Sequence, residues 1–342
     1  MFKRVLEFSL LSLLAALLSA CAGIPPADSG TPTAESLSRS GPYKIRAYTG
    51  FPDAPEYASA TIYYPLDTGE RIGGVAVIPG FTESQRHINW WGSRLASHGY
   101  AVLVMDTNTL RDRPEVRAEA LMAGVRTLRS EDSRRGSPLF GRLDTGRMSI
   151  MGHSMGGGGT LLAANAHSDE LSAAIPFTSW QPEGNFSSIT IPTLVIAGEA
   201  DGIAAVAEHA WPHYQSIPSG TEKVFLEIED GDHFIANHSA SQLHGIIGSY
   251  AIAWLKLYMD GDEQYRDLIY GSERSRKAAA PSAAAKSLAA TESFIKKHIN
   301  IGNFIQLQAL DNALEEITAF AFPVIDFFAI RLIADAQLLN RP

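Results

Sequence analysis

Cysteine, positive charge and unbroken apolar runs are all scarce in this chain, and each scarcity removes a class of explanation. Cysteine occurs once, as Cys21 among 342 residues, so no disulfide joins two parts of the chain. Lys and Arg number 28 against 37 Asp and Glu, for a formal net charge of -9, and no dense basic block is present. That balance excludes a nucleic-acid partner held on a basic face. The apolar stretch Leu10 to Ala20 is too short to span a bilayer, and the denser run Ile317 to Ile333 is broken by Pro323, Asp326 and Arg331. A metal centre is also not indicated. His209 and His213 stand at helical spacing with Pro212 between them and no third ligand nearby, and they read as surface residues. Asp230-Gly231-Asp232 is a fragment of a calcium loop without its ligand register. No cofactor is called for.

What is present begins with an address. Lys3 and Arg4 precede the apolar stretch that ends in Leu18-Ser19-Ala20-Cys21, which predicts a signal peptide over residues 1–20. The tetrapeptide resembles the lipobox of bacterial lipoproteins, which implies export, acylation of Cys21 and attachment to a membrane of the cell envelope. Residues 21–40 are rich in Pro, Ser, Thr, Ala and Gly and are expected to form a flexible tether. A globular domain is expected over 41–271, then an Ala/Ser-rich linker over 272–291. Residues 292–342 have helical spacing (Leu307, Leu310, Leu314, Ile317) and predict a helical extension that packs on the domain, lies in a membrane interface or docks an unknown partner.

Within the domain, short apolar runs alternate with helical stretches. Strands are expected at Tyr43 to Tyr48, Ala60 to Tyr64, Gly74 to Pro79, Ala101 to Met105, Arg147 to Met151, Ala173 to Pro176, Thr193 to Ala197 and Lys223 to Ile228. Helices are expected at Gln85 to His98, Pro114 to Leu128, Ala204 to Ser216 and Ser239 to Met259. This alternation predicts an α/β fold, a mostly parallel sheet with helices on both faces. One junction is special: the run Met148 to Met151 meets Gly152-His153-Ser154-Met155-Gly156, and an Ala/Leu-rich helical pattern follows. A strand, a G-x-S-x-G turn and a helix form the nucleophile elbow of an α/β-hydrolase, with Ser154 at its tip.

That fold orders its chemistry as serine, acid, histidine along the chain, at successive strand ends. After the strand Thr193 to Ala197 comes Gly198-Glu199-Ala200-Asp201, making Asp201 the candidate acid, with Glu199, Asp230 and Asp232 as rivals. After Lys223 to Ile228 comes His233, the candidate base. A histidine takes the proton from the serine hydroxyl, and a carboxylate fixes its tautomer and stabilises the imidazolium. The oxyanion donors of this fold are the amide after the nucleophile, here Met155, and one from the loop after the third strand, here Phe81.

The segments Ile78-Pro79-Gly80-Phe81-Thr82, Ala96-Ser97-His98-Gly99-Tyr100, Met151 to Thr160, Ala174-Ile175-Pro176 and Asp232-His233-Phe234 resemble the bacterial cutinase-like polyesterases, poly(ethylene terephthalate) hydrolases among them. The resemblance covers about Gly41 to Tyr270, with no counterpart after Ser272. It implies that Ser154, Asp201 and His233 form the triad, and that Phe81, Met155, Trp180 and Ile203 line a shallow substrate cleft with Trp180 stacking on the ester. Phe81, Ser179 and Phe186 depart from the Tyr, Pro and Trp often found there, and the family's C-terminal disulfide is absent. The expected activity is hydrolysis of carboxylic esters through an acyl-serine. A general carboxylesterase, a triacylglycerol lipase and an anchored lipoprotein that binds a partner through its extension are the alternatives.

Overall fold

The computed structural model of the protein describes residues 32–182 and 184–271. The signal peptide, Cys21, most of the proposed tether, the linker and the helical extension lie outside the described residues. Eight strands form one sheet in the order β1-β2-β4-β3-β5-β6-β7-β8. They are β1 (Ile45–Tyr48), β2 (Ser59–Pro65), β3 (Ile72–Ile78), β4 (Ala101–Asp106), β5 (Leu143–His153), β6 (Ala173–Phe177), β7 (Thr193–Gly198) and β8 (Lys223–Ile228). β2 runs antiparallel to both of its neighbours, β1 and β4; β4, β3, β5, β6, β7 and β8 pair in parallel. Every residue of β3, β6 and β7 is buried, because a parallel strand covered on both faces has no polar side.

Alternate residues serve the two faces. Ala76 and Ile78 of β3 and Leu103 and Met105 of β4 point to one core, shared with Leu121 and Leu128 of the helix α4 (Pro114–Ser133) and Leu161 of α5 (Met155–Ala166). Val75 and Val77, with Val102 and Val104, point to the other. There they meet Trp91 and Leu95 of α3 (Trp90–Ser97) and Ile252, Trp254 and Leu255 of α7 (His244–Tyr258). Among the described residues no helix is long and apolar enough to cross a membrane.

Four local expectations are corrected. The ordered fold begins before Gly41: Thr33 caps a helical turn, α1 (Ala34–Leu37), through a capping box with Ser36. Leu37 is buried, Arg94 donates to the carbonyls of Leu37 and Ser38, and the Ser249 hydroxyl donates to Ala34. A flexible tether therefore does not extend to residue 40. The helix expected over Gln85 to His98 is two, α2 (Gln85–Ile88) and α3, meeting at Asn89. Of the helix expected from Ala204, only α6 (Ala210–Ser216) forms, because the preceding turn is drawn toward Asp201 by its carboxylate. The helix expected from Ser239 opens as a 3₁₀ segment, His238–Leu243, before α7 begins.

Candidate active site

Five loops converge at the carboxyl ends of β3, β5, β6, β7 and β8, and the central one is the turn between β5 and α5. Ser154 sits there at φ 56°, ψ −118°, a conformation costing a non-glycine residue about 1–3 kcal/mol. It is held by its own backbone: its amide donates to Phe177, and its carbonyl accepts from Trp180 and Gly158. Gly152 and Gly156 are required by close approach. A Cβ on Gly152 would lie 2.2 Å from the Gly156 carbonyl oxygen, and one on Gly156 2.5 Å from that of Pro79. Thr82 and Thr178, in the neighbouring loops, also have positive φ, so backbone strain gathers around this serine.

The structure brings Ser154, His233 and Asp201 into one hydrogen-bonded chain. His233 Nε2 lies 2.8 Å from Ser154 Oγ, and His233 Nδ1 lies 2.8 Å from Asp201 Oδ2. Asp201 Oδ1 accepts the amides of Ile203 and Ala204, at 2.9 and 2.7 Å. Burial pushes the Asp201 carboxyl up, but the bond from His233 and these amides outweigh it and hold the group below its ordinary value. An ionised Asp201 accepts the proton on Nδ1, which leaves Nε2 free to take the serine proton. Two of the three rival carboxylates have other contacts: Glu199 accepts the Asp230 amide, and Asp232 caps the Phe234 amide.

Of the two expected oxyanion donors, Met155 follows Ser154 directly, and Phe81 follows Gly80, where an added Cβ would lie 2.8 Å from that of Ser154. Met155 is the first residue of α5, where amides lack intrahelical partners. Around Phe81, the Gly80 amide donates to Glu83 and the Thr82 amide to Leu110, while among the described residues the Phe81 amide donates to no protein acceptor. Phe81, Ile203 and Phe234 are 44%, 56% and 40% exposed, leaving an apolar rim around a mostly buried serine. Met155 and Trp180 are half-buried.

The reading of His209 and His213 as surface residues is overturned: both are buried. His213 Nε2 donates to the Gln181 carbonyl at 2.8 Å, and Nδ1 accepts from the Ser179 hydroxyl at 3.0 Å. Burial pushes its imidazole down to about 4, so it is neutral at physiological pH. Phe186 packs edge-on against it, and the His209 ring lies 5.8 Å from Trp180. Ser179 and Phe186, two departures noted in the sequence, are thus partners of one histidine. Among the described residues no group of three or more His, Cys, Asp or Glu is arranged to hold a metal.

A buried cluster that no sequence motif announces adjoins the site. Glu83 Oε2 accepts from Gly80 N and His153 Nδ1, both at 2.7 Å, and its other oxygen accepts from Asn237. His153 Nε2 lies 2.8 Å from the backbone carbonyl of His233. No local pattern joins residues so far apart in the chain. Burial pushes the Glu83 carboxyl up, but the His153 charge and the bonds from His153, Asn237 and Gly80 bring it down to about 2. Because the folded value lies below the ordinary 4.5, Glu83 contributes stability that is full above about pH 4.5 and is lost as pH falls toward 2. Urea midpoints measured across that window should fall for wild type by more than for Glu83→Gln; equal slopes would contradict this role.

A serine, a histidine and a carboxylate linked in that order above the ends of a mostly parallel sheet define an α/β-hydrolase. The chain belongs to the PET hydrolase-like family: that family's profile, described as PETase: PET hydrolase-like, matches residues 24–287. The protein is a carboxylic ester hydrolase. Cutinase 1 of Thermobifida cellulosilytica is 41% identical over 236 residues, covering 67% of this chain and 87% of its own. A cutinase of Thermobifida fusca is 41% identical over 67% of this chain and 75% of its own. A bis(hydroxyethyl) terephthalate hydrolase of Streptomyces coelicolor is 40% identical over 70% of this chain and 74% of its own. The family match extends past both ends of the resemblance read from motifs, into the 21–40 and 272–291 segments.

Proposed function

We propose that Ser154 is the nucleophile, His233 the general base and Asp201 its orienting carboxylate, in the cleavage of bulky, aromatic and polymeric carboxylic esters. The observation that carries the reading is the hydrogen-bonded chain from Ser154 Oγ to Asp201 set among exposed apolar side chains at Phe81, Ile203 and Phe234. Ser154 Oγ attacks the ester carbonyl carbon as its proton passes to His233 Nε2. The amides of Met155 and Phe81 stabilise the oxyanion, and each such donor is worth about 3 kcal/mol of barrier. Collapse breaks the C–O bond, the alcohol leaves with the proton from His233, and water activated by the same imidazole frees the acid.

Phe81, Met155, Trp180 and Ile203 form the substrate cleft. An open apolar rim suits an ester presented on a surface, and the similarity to cutinases and to a terephthalate-ester hydrolase supports that substrate class. The leader and Cys21 export the enzyme and anchor it to the cell envelope, in this reading, with residues 292–342 available to a partner. The test compares bis(hydroxyethyl) terephthalate, a polyester film and a tributyrin emulsion by product chromatography. Release of terephthalate products from the first two, absent in Ser154→Ala, is the expected result. Turnover of the emulsion alone would overturn the polyester reading.

A further inference from the structure

The loop that carries His233 is pinned by its carbonyls. The His233 carbonyl accepts from His153 Nε2 and from the Thr178 hydroxyl, at 2.8 and 2.9 Å. The Ala236 carbonyl accepts the indole N–H groups of both Trp90 and Trp91, and the Asn237 carbonyl accepts from His244. One of these ties differs from the rest. His153 also reaches the loop after β3 through Glu83, whose carboxylate holds the Gly80 amide immediately before Phe81. Arg117, fully buried, holds the preceding Pro79 carbonyl at 2.8 Å. The loop of the oxyanion donor and the loop of the base therefore meet at a single imidazole.

Both ring nitrogens of His153 face acceptors, a carboxylate oxygen and a carbonyl oxygen. Two acceptors call for two N–H donors, hence an imidazolium, with Glu83 as its counter-ion. The pair is excluded from water, His153 being 2% and Glu83 5% exposed. A buried charge without a partner is strongly unfavourable, so each member makes the other tenable. Their position also matters to the chemistry. The rings of His153 and His233 have centroids 5.1 Å apart, and an uncompensated charge on the first would oppose the imidazolium that forms on the second. Glu83 removes that opposition.

We propose that Glu83 and His153 form a buried ion pair that acts as a positioning device, clamping the Gly80–Phe81 backbone to the backbone of His233 so that oxyanion donor and base keep one register. The proposal rests on the triad assigned above. Its function is geometric: catalytic groups must be held to within a fraction of an ångström, and donor displacement weakens the transition state more than the bound substrate.

Glu83→Gln keeps the size of the side chain and removes its charge. On a soluble p-nitrophenyl ester, kcat should fall on the order of 10-fold or more while KM stays within about 2-fold, the split expected of an interaction realised in the transition state. Affinity for a trifluoromethyl ketone, which forms a tetrahedral adduct, should fall by the same factor. His153→Gln should give a similar loss, and the double variant little further loss, because the two act as one unit. Glu131→Gln, which removes a buried carboxylate paired with Arg134 away from this site, should lower Tm without changing kcat per folded enzyme.

Unchanged kcat in folded Glu83→Gln, or losses that add in the double variant, would overturn the clamp. Should neither single variant fold, the wild-type enzyme decides: ¹⁵N-histidine NMR at pH 8 should show two protons on His153, and a singly protonated ring would sink the ion pair. Ser154→Ala is run in parallel. Turnover surviving in it would overturn the triad assignment, a result separate from any Glu83 outcome.

Discussion

Replacing Ser154 by Ala should lower kcat/KM on a short p-nitrophenyl ester by a factor on the order of 10⁴ or more, with the fold intact. Among the described residues the oxygen removed is the one 2.8 Å from His233 Nε2, and the neighbouring hydroxyls are engaged elsewhere: Thr178 donates to the His233 carbonyl and Ser179 to His213. Stability should respond differently. At φ 56°, ψ −118°, Ala keeps the steric clash of Cβ with the backbone whereas Gly has none. After allowing for the greater freedom of Gly in the unfolded chain, Ser154→Gly should exceed Ser154→Ala in stability by about 1 kcal/mol, both being inert. Chemical denaturation of the two variants measures the difference. A less stable Gly variant would mean that the turn is not strained, and retained activity in either would remove Ser154 from the mechanism.

Asp201→Asn should cost a factor of about 10⁴ in kcat with little change in KM. The cause can be followed atom by atom. The amides of Ile203 and Ala204 both donate to Oδ1, so the asparagine must keep its oxygen there. Its NH₂ group then faces His233 Nδ1, where the carboxylate oxygen had been. A donor at that place makes Nδ1 the acceptor and puts the ring proton on Nε2, facing Ser154 Oγ. The imidazole then has no lone pair for the serine proton. Single-turnover rates with an activated ester, compared with initial rates, separate this loss from any change in binding. A fall of less than 10-fold would mean that Asp201 does not set the tautomer.

The parallel strands were legible because burial on both faces leaves a signature that needs no partner to be seen. Gly74 to Pro79 and Leu194 to Ala197 are apolar throughout, and the strands there, β3 and β7, run almost the lengths expected. The order of serine, acid and histidine was legible because each lies in the short loop that follows a predicted strand. What escaped depends on contacts between distant segments. Leu37 lies in a Pro/Ser/Thr-rich stretch, and nothing local announces that Arg94 and Ser249 will capture its turn. His209 and His213 look polar beside Pro212, and their burial follows from the Gln181 carbonyl and the Ser179 hydroxyl folding over them. Glu83 is one acidic residue in a polar loop until β5 brings His153 beside it. Helix lengths were overestimated where a side chain competes for the backbone, as Asp201 does for the amides of Ile203 and Ala204.

The helix that follows the serine begins Met155-Gly156-Gly157-Gly158-Gly159, and each Gly is about 1 kcal/mol poorer than Ala at helix formation. Such a segment has almost no tendency to be helical on its own, and the nucleation barrier makes spontaneous formation rarer still. It becomes a helix only against surfaces already in place, the carbonyls of Pro79, Phe177 and Trp180 and the flank of Arg117 that its glycines touch. The hydroxyl and the Met155 amide are therefore expected to come into register only once the sheet and α4 exist. On refolding, recovery of esterase activity should lag behind the gain of helix content from α4 and α7.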